Sequence, residues 1–325
     1  FILSSILDLL GICLIGPYIA LIMDFETFKQ SIIYGFLFDL GFNMGPIDLM
    51  ISFGNMLLAI FFLKFLSTIF INFKILDFCF KEGVNVRSQL VSTYQYLPYE
   101  KFIDRNSSEY IYAIQSKVVL YSQSILQAFL RVISDGFIII AVLFFLFWQS
   151  PYPLILLAGL LGVSIFLYDV IFRKKVSHYG FEANHSSEKM LQSAQESFDG
   201  LKEIRVLGVE NYFYESVVKN AKKYSHAAVR SGVIQRIPGA LLELILVVFV
   251  VVLVYFTIFT GNKIDNLIPI LGMFGIAAMR LAPSVSLVIS SISNIRFGEN
   301  TVDSIYRDLC LKKSPSVFKI GNNLK

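Results

Sequence analysis

Arg280 is the side chain of this sequence that most needs an explanation. It stands within the apolar stretch 267–293, close to Pro283 and to Ser284, Ser286 and Ser290. An unpaired charge in the middle of a membrane-spanning helix costs about 2.5–3.5 kcal/mol on insertion scales. Something must offset that cost, and Glu243 in the preceding apolar stretch 237–259 is one candidate. Glu243 is 16 residues before Phe259 and Arg280 is 13 residues after Leu267. At about 1.5 Å per residue those are matching depths of roughly 24 and 20 Å. The two could pair, or both could face a water-filled cavity. Pro283 withholds the backbone donor that would bond the Met279 carbonyl, which favours a kink. Arg280, Ser284, Leu287 and Ser291 share one helical face, and Pro283, Ser286, Ser290 and Ser293 share another. A hydroxyl-rich helix carrying one arginine suits a wet surface; the competing reading is packed helices whose hydroxyls bond locally. A planar guanidinium holds phosphate or pyrophosphate through two parallel hydrogen bonds, as an ammonium cannot. The chemistry expected of Arg280, Glu243, Ser284, Ser286 and Ser290 is therefore anion recognition in a cavity, with no catalytic residue.

The other reactive types have plainer readings. Asp8 is a further charge in an apolar stretch. Arg131 and Asp135 are four residues apart, as are Asp169 and Arg173; each pair shares a helical face and reads as a local ion pair near a membrane interface. Lys64 can snorkel along its own methylenes. His178, Glu182 and His185 recur at i, i+4 and i+7. The spacing matches no zinc-hydrolase pattern, so a solvated helix face is expected there and no metal. Cys13, Cys79 and Cys310 have neither metal nor redox spacing and read as buried free thiols. Asn106-Ser107-Ser108 and Asn184-His185-Ser186 match a glycosylation sequon, but both fall on the side assigned below to the cytoplasm.

These residues belong to a chain composed for a bilayer. Of 325 residues, 55% are hydrophobic and 16% charged, where a soluble domain carries about 25% charged. Apolar stretches at 1–23, 49–73, 128–148, 153–172, 237–259 and 267–293 are each near or above the roughly 20 residues that cross the hydrocarbon. The expected fold is an all-α membrane protein with six transmembrane helices and long cytoplasmic extensions. The connections 24–48, 149–152 and 260–266 are short. The connections 74–127 and 173–236 are long, and a tail follows at 294–325. The long connections and the tail hold 23 of the 28 lysines and arginines, the short ones only Lys29 and Lys263. The excess of positive charge on cytoplasmic loops then places the long connections and both termini inside. The acidic 24–48 connection reads as a short helix at the outer interface. The same topology accounts for the net charge of +4, so nucleic acid is not expected as a partner. The sequence opens on Phe1, already apolar, and reads as a piece whose first helix lacks its start.

The two long connections share one plan. In 173–236, apolar residues recur at Leu191, Ala194, Phe198, Leu201, Ile204 and Leu207, the period of an amphipathic helix. A helix over 173–207 would run roughly 52 Å. Gly208 breaks it, Val209 to Tyr214 forms a short aromatic connector, and a second helical run leads back. In 74–127 a helix runs out to a break at Leu97-Pro98. A short helix follows at Tyr99-Glu100-Lys101-Phe102, and Asn106-Ser107-Ser108-Glu109 caps the return. Each excursion holds a short connector far from the membrane, placed to touch another protein or domain.

This pattern resembles the transmembrane domain of an ABC exporter of the type-1, six-helix kind, over about residues 1–311. The resemblance implies that the connectors are coupling helices docking on ATP-binding domains. Tyr99, Glu100, Lys101 and Phe102 resemble the first. Gly200-Leu201-Lys202-Glu203-Ile204-Arg205 through Val209, Glu210, Tyr212 and Phe213 resembles the approach to the second. Asp8-Leu9-Leu10-Gly11 with Pro17-Tyr18, and Arg280-Leu281-Ala282-Pro283-Ser284, are similar to the bacterial lipid-linked-oligosaccharide flippase branch. That branch implies ATP-driven flipping of an amphipathic, lipid-linked substrate by alternating access. Peptide or multidrug export is the alternative within the class; an ATP-independent transporter or a membrane scaffold is the alternative outside it. The resemblance also implies a homodimer, membrane lipids as surroundings, and a bacterial cytoplasmic membrane. ATP and magnesium would belong to a nucleotide-binding domain, fused or separate. No phosphate-cradling Gly-x-x-x-x-Gly-Lys-Ser/Thr loop occurs in the sequence. This chain by itself is not expected to bind or hydrolyse ATP, and 312–325 reads as a linker towards the missing domain.

Overall fold

The structure, a computed structural model, describes residues 46–149, 151–259 and 267–311, with Gly11, Leu14 and Tyr18 of the first apolar stretch. The rest of that stretch, most of the 24–48 connection, the 260–266 connection, Cys13, Asp8 and the 312–325 tail lie outside the described residues.

The described residues are almost entirely helical. Helix α1 (Pro46–Gln95) is followed by the short helices α2 (Tyr99–Ile103) and α3 (Ser107–Tyr112). Two π-helical stretches, Ala113–Lys117 and Leu120–Leu126, lead into α4 (Gln127–Gln149). Then come α5 (Pro151–Asp199), α6 (Leu201–Leu207), α7 (Glu210–Phe259), α8 (Leu267–Phe297) and α9 (Glu299–Cys310). Pro46 and Pro151 open their helices in the first turn, where the missing N–H is an orphan anyway. Four helices among the described residues are long and apolar enough to cross a membrane: α1, the run from α3 through α4, α5 and α7. Three of these have 49 or 50 residues, about 75 Å each, far more than a bilayer needs. Their outward residues explain the composition. Leu58, Phe62, Phe65, Phe70, Phe144, Phe166 and Val247 are all exposed, and such density of apolar surface belongs against lipid or another chain.

The contacts divide the chain into two compact units. The first comprises Phe1–Lys74, Arg131–Ser164 and Gly239–Val288. In it Leu49 and Phe53 of α1 pack with Leu14 and Tyr18. Leu157 and Leu161 of α5, Leu242 and Leu246 of α7, and Ala278, Leu281, Ala282 and Val285 of α8 close around one small apolar gap. The second comprises Ile75–Leu130, Ile165–Pro238 and Ile289–Lys325. Its core joins Val86, Leu90 and Tyr94 of α1 to Tyr110 of α3, Ala113 and Val118 of the π-helical run, and Ile305 of α9.

Two defects in this helical framework are repaired by long-range hydrogen bonds. Pro238 lies inside α7 and cannot donate to the carbonyl four residues back, at Ile234. The buried Tyr168 hydroxyl of α5 donates to that carbonyl instead, at 3.2 Å, and is itself 3.0 Å from Ser293 Oγ of α8. The π-helical run likewise loosens the regular ladder, and Arg87 of α1 donates from Nε to the Ile114 carbonyl at 3.2 Å. Where α5 meets α8, Gly180 lies so close to the Phe297 backbone that a Cβ there would collide with it.

The helix boundaries correct the sequence reading in one place. The apolar periodicity from Leu191 to Leu207 suggests one helix, yet the chain breaks at Gly200, between α5 and α6. Only Ile204 of α6 is buried, while Phe198 and Leu207 point outwards. Residues 210–214 are the first turn of α7 rather than a separate connector.

Candidate functional site

The two tips are built by local chemistry. At the first, Pro98 ends the turn after α1, and α2 follows as five residues. Asn106 then caps α3, its side chain accepting from the Ser108 N–H at 3.1 Å. Tyr99, Glu100, Lys101 and Phe102 are all exposed, Tyr99 at 77%. Phe102 is tethered rather than loose: its ring stacks on Tyr110, with centroids 5.0 Å apart, and its carbonyl accepts from the Tyr110 hydroxyl at 3.3 Å. At the second tip, α6 ends on Gly208, which adopts φ 67°. That left-handed turn suits glycine, and the Gly208 and Val209 N–H groups both reach the Ile204 carbonyl. Ile204, 5% exposed, anchors the helix, leaving Val206 and Leu207 at 80% and 72% exposure. Val209, Glu210 and Tyr212 are exposed and Phe213 half-buried, its ring edge-on to Tyr212 at 5.3 Å. The sequence reading missed Val206 and Leu207, because apolar periodicity assigned Leu207 to a buried stripe.

The base of the first tip is wired into the other helices of the second unit. Asn106 donates to Glu196 of α5 at 2.9 Å, Tyr112 donates to the Asn184 carbonyl at 3.1 Å, and Lys117 pairs with Glu188 at 3.0 Å. A second chain of contacts reaches α9. Tyr94 lies edge-on to Tyr110 at 4.6 Å and donates its hydroxyl to Asp308 Oδ2 at 2.7 Å, while Arg105 donates to Asp308 Oδ1 at 2.8 Å. Burial first, and then the bond to Asp308, hold the Tyr94 phenol well above its ordinary range. The exposed rings of the first tip are thus connected, through Tyr110 and Tyr94, to the last described helix.

The residues expected around Arg280 are placed less uniformly. Arg280 itself is a helical position of α8 whose side chain lies outside the described ones. The stripe of α8 lining the apolar gap with α7 is Ala278, Leu281, Ala282 and Val285. At about 100° per residue, position 280 stands roughly 200° from Ala278 around the helix. That arc is shared with Leu287, seven residues on, which is exposed. Glu243 is exposed on α7, Ser286 and Ser290 are half-buried, and Ser284 is buried. Ser286 Oγ lies 3.6 Å from where a Cβ on Gly239 would sit. Ser293 bonds the Ile289 carbonyl and Tyr168, so this member of the serine face is structural.

The remaining charged and thiol residues resolve simply. Asp169 pairs with Arg296 of α8 and not with its helical neighbour Arg173, because packing of α5 against α8 brings the Arg296 guanidinium within reach. Arg131 and Asp135 are both half-buried. Lys64 lies over the Phe61 ring at 5.2 Å. His185 stacks on Phe181, and no group of three or more metal-ligating side chains occurs among the described residues. Cys79 is a buried free thiol and Cys310 a half-buried one.

Comparison with known families agrees with this architecture: the family described as the ABC transporter transmembrane region matches residues 13–281. The match spans most of the 325 residues and takes in four long apolar helices with both polar excursions between them. The chain is a multi-pass membrane protein that belongs to the ABC transporter transmembrane region family, the permease part of an ABC exporter.

Proposed function

We propose that this permease carries an amphipathic, anionic substrate, a lipid-linked oligosaccharide or a related lipid, by alternating access driven from ATP-binding domains docked at the two tips. The observation that carries the docking is the set of apolar side chains exposed on short, anchored helices at both turning points: Tyr99 and Phe102 of α2, and Val206, Leu207 and Tyr212 around α6. Apolar side chains held that rigidly in water lose free energy until a partner covers them. In this reading Tyr99, Glu100, Lys101 and Phe102 form one contact, and Val209, Glu210, Tyr212 and Phe213 extend the other. ATP and magnesium belong to the partner domain. This sequence contains no loop that would cradle the phosphates, and no step of hydrolysis is assigned to its residues.

The substrate class rests on Arg280. Its position on α8 is turned away from the stripe lining the gap with α7, which favours a cavity role over a pair with Glu243. Ser284 shares the helical face of position 280, while Ser286 and Ser290, half-buried on the neighbouring face, complete the set of hydroxyls in this reading. A working transporter needs a second copy to complete such a cavity, and a homodimer in a bacterial cytoplasmic membrane is the arrangement proposed.

One experiment has two arms, both in the complete transporter. Phe102→Asp and Leu207→Asp should each abolish substrate-stimulated ATPase while leaving expression unchanged. Arg280→Ala should keep basal ATPase and lose most transport, and Arg280→Lys should restore only part of it. Normal stimulation in both tip variants would refute docking there; full transport in Arg280→Ala would refute the anionic cavity.

A further inference from the structure

A groove of about 650 Å³ lies in the second unit, between the stretch of α5 after the apolar run 153–172 and the junction of α8 with α9. Its walls carry both signs of charge, in a definite order. Arg173 and Lys174 line it from α5 and Arg296 from α8; Glu299 and Asp303 line it from α9. Arg173 and Lys174 directly follow the apolar run 153–172, and Arg296 follows 267–293, so the cations sit at the membrane border. Glu299 is three residues beyond Arg296 and Asp303 seven, or roughly 5 and 10 Å further along the chain direction leaving the membrane. Arg296 is already paired with Asp169, and Glu299 accepts a long hydrogen bond of 3.4 Å from Ser177. Arg173, Lys174 and Asp303 are exposed and make no ion pair among the described residues. Phe181 adds an apolar wall.

This order matches one class of molecule. In a zwitterionic lipid a flexible two-carbon bridge joins the phosphate, beside the glycerol, to an ammonium group that can reach about one helical turn, roughly 5 Å, further out. A groove with cations at the border and carboxylates one to two turns beyond is complementary to both charges at once. An anionic lipid such as phosphatidylglycerol would satisfy only the cations. A choline head group would reach the carboxylates without an N–H to donate. We propose that this groove is a binding site for the head group of an aminophospholipid, with phosphate on Arg173 and Lys174 and ammonium on Asp303 and Glu299. The lipid is a resident of the membrane around the permease and is separate from the molecule transported.

The test uses the complete transporter reconstituted in vesicles of equal parts phosphatidylethanolamine, phosphatidylcholine and phosphatidylglycerol. The lipid retained after detergent extraction is quantified by mass spectrometry. Phosphatidylethanolamine should be enriched over phosphatidylcholine. Arg173→Gln and Lys174→Gln should each lower the total zwitterionic lipid retained by about fivefold, and Asp303→Asn should lower the enrichment of phosphatidylethanolamine over phosphatidylcholine by a comparable factor. Asp303→Lys, which turns the far wall cationic, should exchange the preference for phosphatidylglycerol. That gain protects the test against variants that merely lose the fold. Equal retention of the two zwitterionic lipids, retention and enrichment unaltered in all the variants, or displacement by soluble glycerophosphoethanolamine as effective as by the lipid would overturn the proposal. The readout needs neither ATP nor transport, so its failure is distinguishable from failure of the docking or cavity readings.

Discussion

At the scale of single residues, the second unit depends on Asp308 more than on any other charge described. It is buried, and it accepts from both Tyr94 and Arg105. Arg105 is partly exposed, so the ion pair itself contributes little through screened water. The larger effect is what removal leaves behind. Asp308→Ala strands a buried Tyr94 hydroxyl and a guanidinium, and should destabilise the purified transporter by about 2 kcal/mol. Tyr94→Phe, which removes the donor and leaves Asp308 with Arg105, should cost only about 1 kcal/mol. Thermal melts followed by circular dichroism would order the two variants; equal effects would contradict this account. The pH dependence has a defined sign. The Tyr94 phenol is held above its unfolded value, so its contribution is fully present below an ordinary phenol pKa of about 10 and is lost only as pH rises through the folded value. Melting temperature should therefore show no Tyr94-dependent decline between about pH 6 and 9, and a decline above about 10 that Tyr94→Phe makes shallower. None of this network was legible in the sequence, where Tyr94 and Asp308 stand 214 residues apart. The same holds for Asp169: helical spacing offered Arg173, and only tertiary packing supplied Arg296.

At the scale of elements, the sequence was legible where a residue acts on its own backbone. Pro98 announced the end of α1, Asn106 the cap of α3 and Gly208 the helix break at the tip of the second excursion, and each does what its covalent chemistry dictates. It was not legible where tertiary forces decide. Gly200 reads as a tolerable helical glycine, yet it separates α5 from α6, because Ile204 is held inwards while its neighbours turn out. The π-helical stretches and the Pro238 repair by Tyr168 depend on donors from distant helices, Arg87 in one case and Tyr168 in the other. Gly208 provides the element-scale prediction. Its φ of 67° is one that asparagine adopts readily and a β-branched residue does not. Gly208→Asn should retain substrate-stimulated ATPase in the complete transporter. Gly208→Val should lose it, since the strain, about 1–2 kcal/mol, is relieved most easily by unwinding α6. Stimulation equal in the two variants would mean that α6 need not keep this orientation to work.

At the scale of the whole molecule, the question is which side of the membrane holds the tips. The apolar helices settle that the chain crosses a bilayer, but apolar surface is the same viewed from either side. Charge is what distinguishes the sides. Lysines and arginines crowd the long connections and the tail and nearly avoid the short ones, and a bias of that kind predicts tips in the cytoplasm. Moving a basic loop outwards opposes the membrane potential, at about 2.3 kcal/mol per charge per 100 mV. The 173–236 excursion alone carries 11 such charges. A single cysteine in place of Glu210, which is exposed at the start of α7, reports the outcome when the native Cys13, Cys79 and Cys310 are replaced by alanine. In intact cells it should resist a membrane-impermeant maleimide and react fully once the cells are opened. A control cysteine at Lys263, in the short connection 260–266, should react in intact cells. If the two labelling patterns came out reversed, ATP-binding domains in the cytoplasm could not reach α2 or α6. The exposed rings of Tyr99 and Tyr212 would then have to meet an extracellular partner instead.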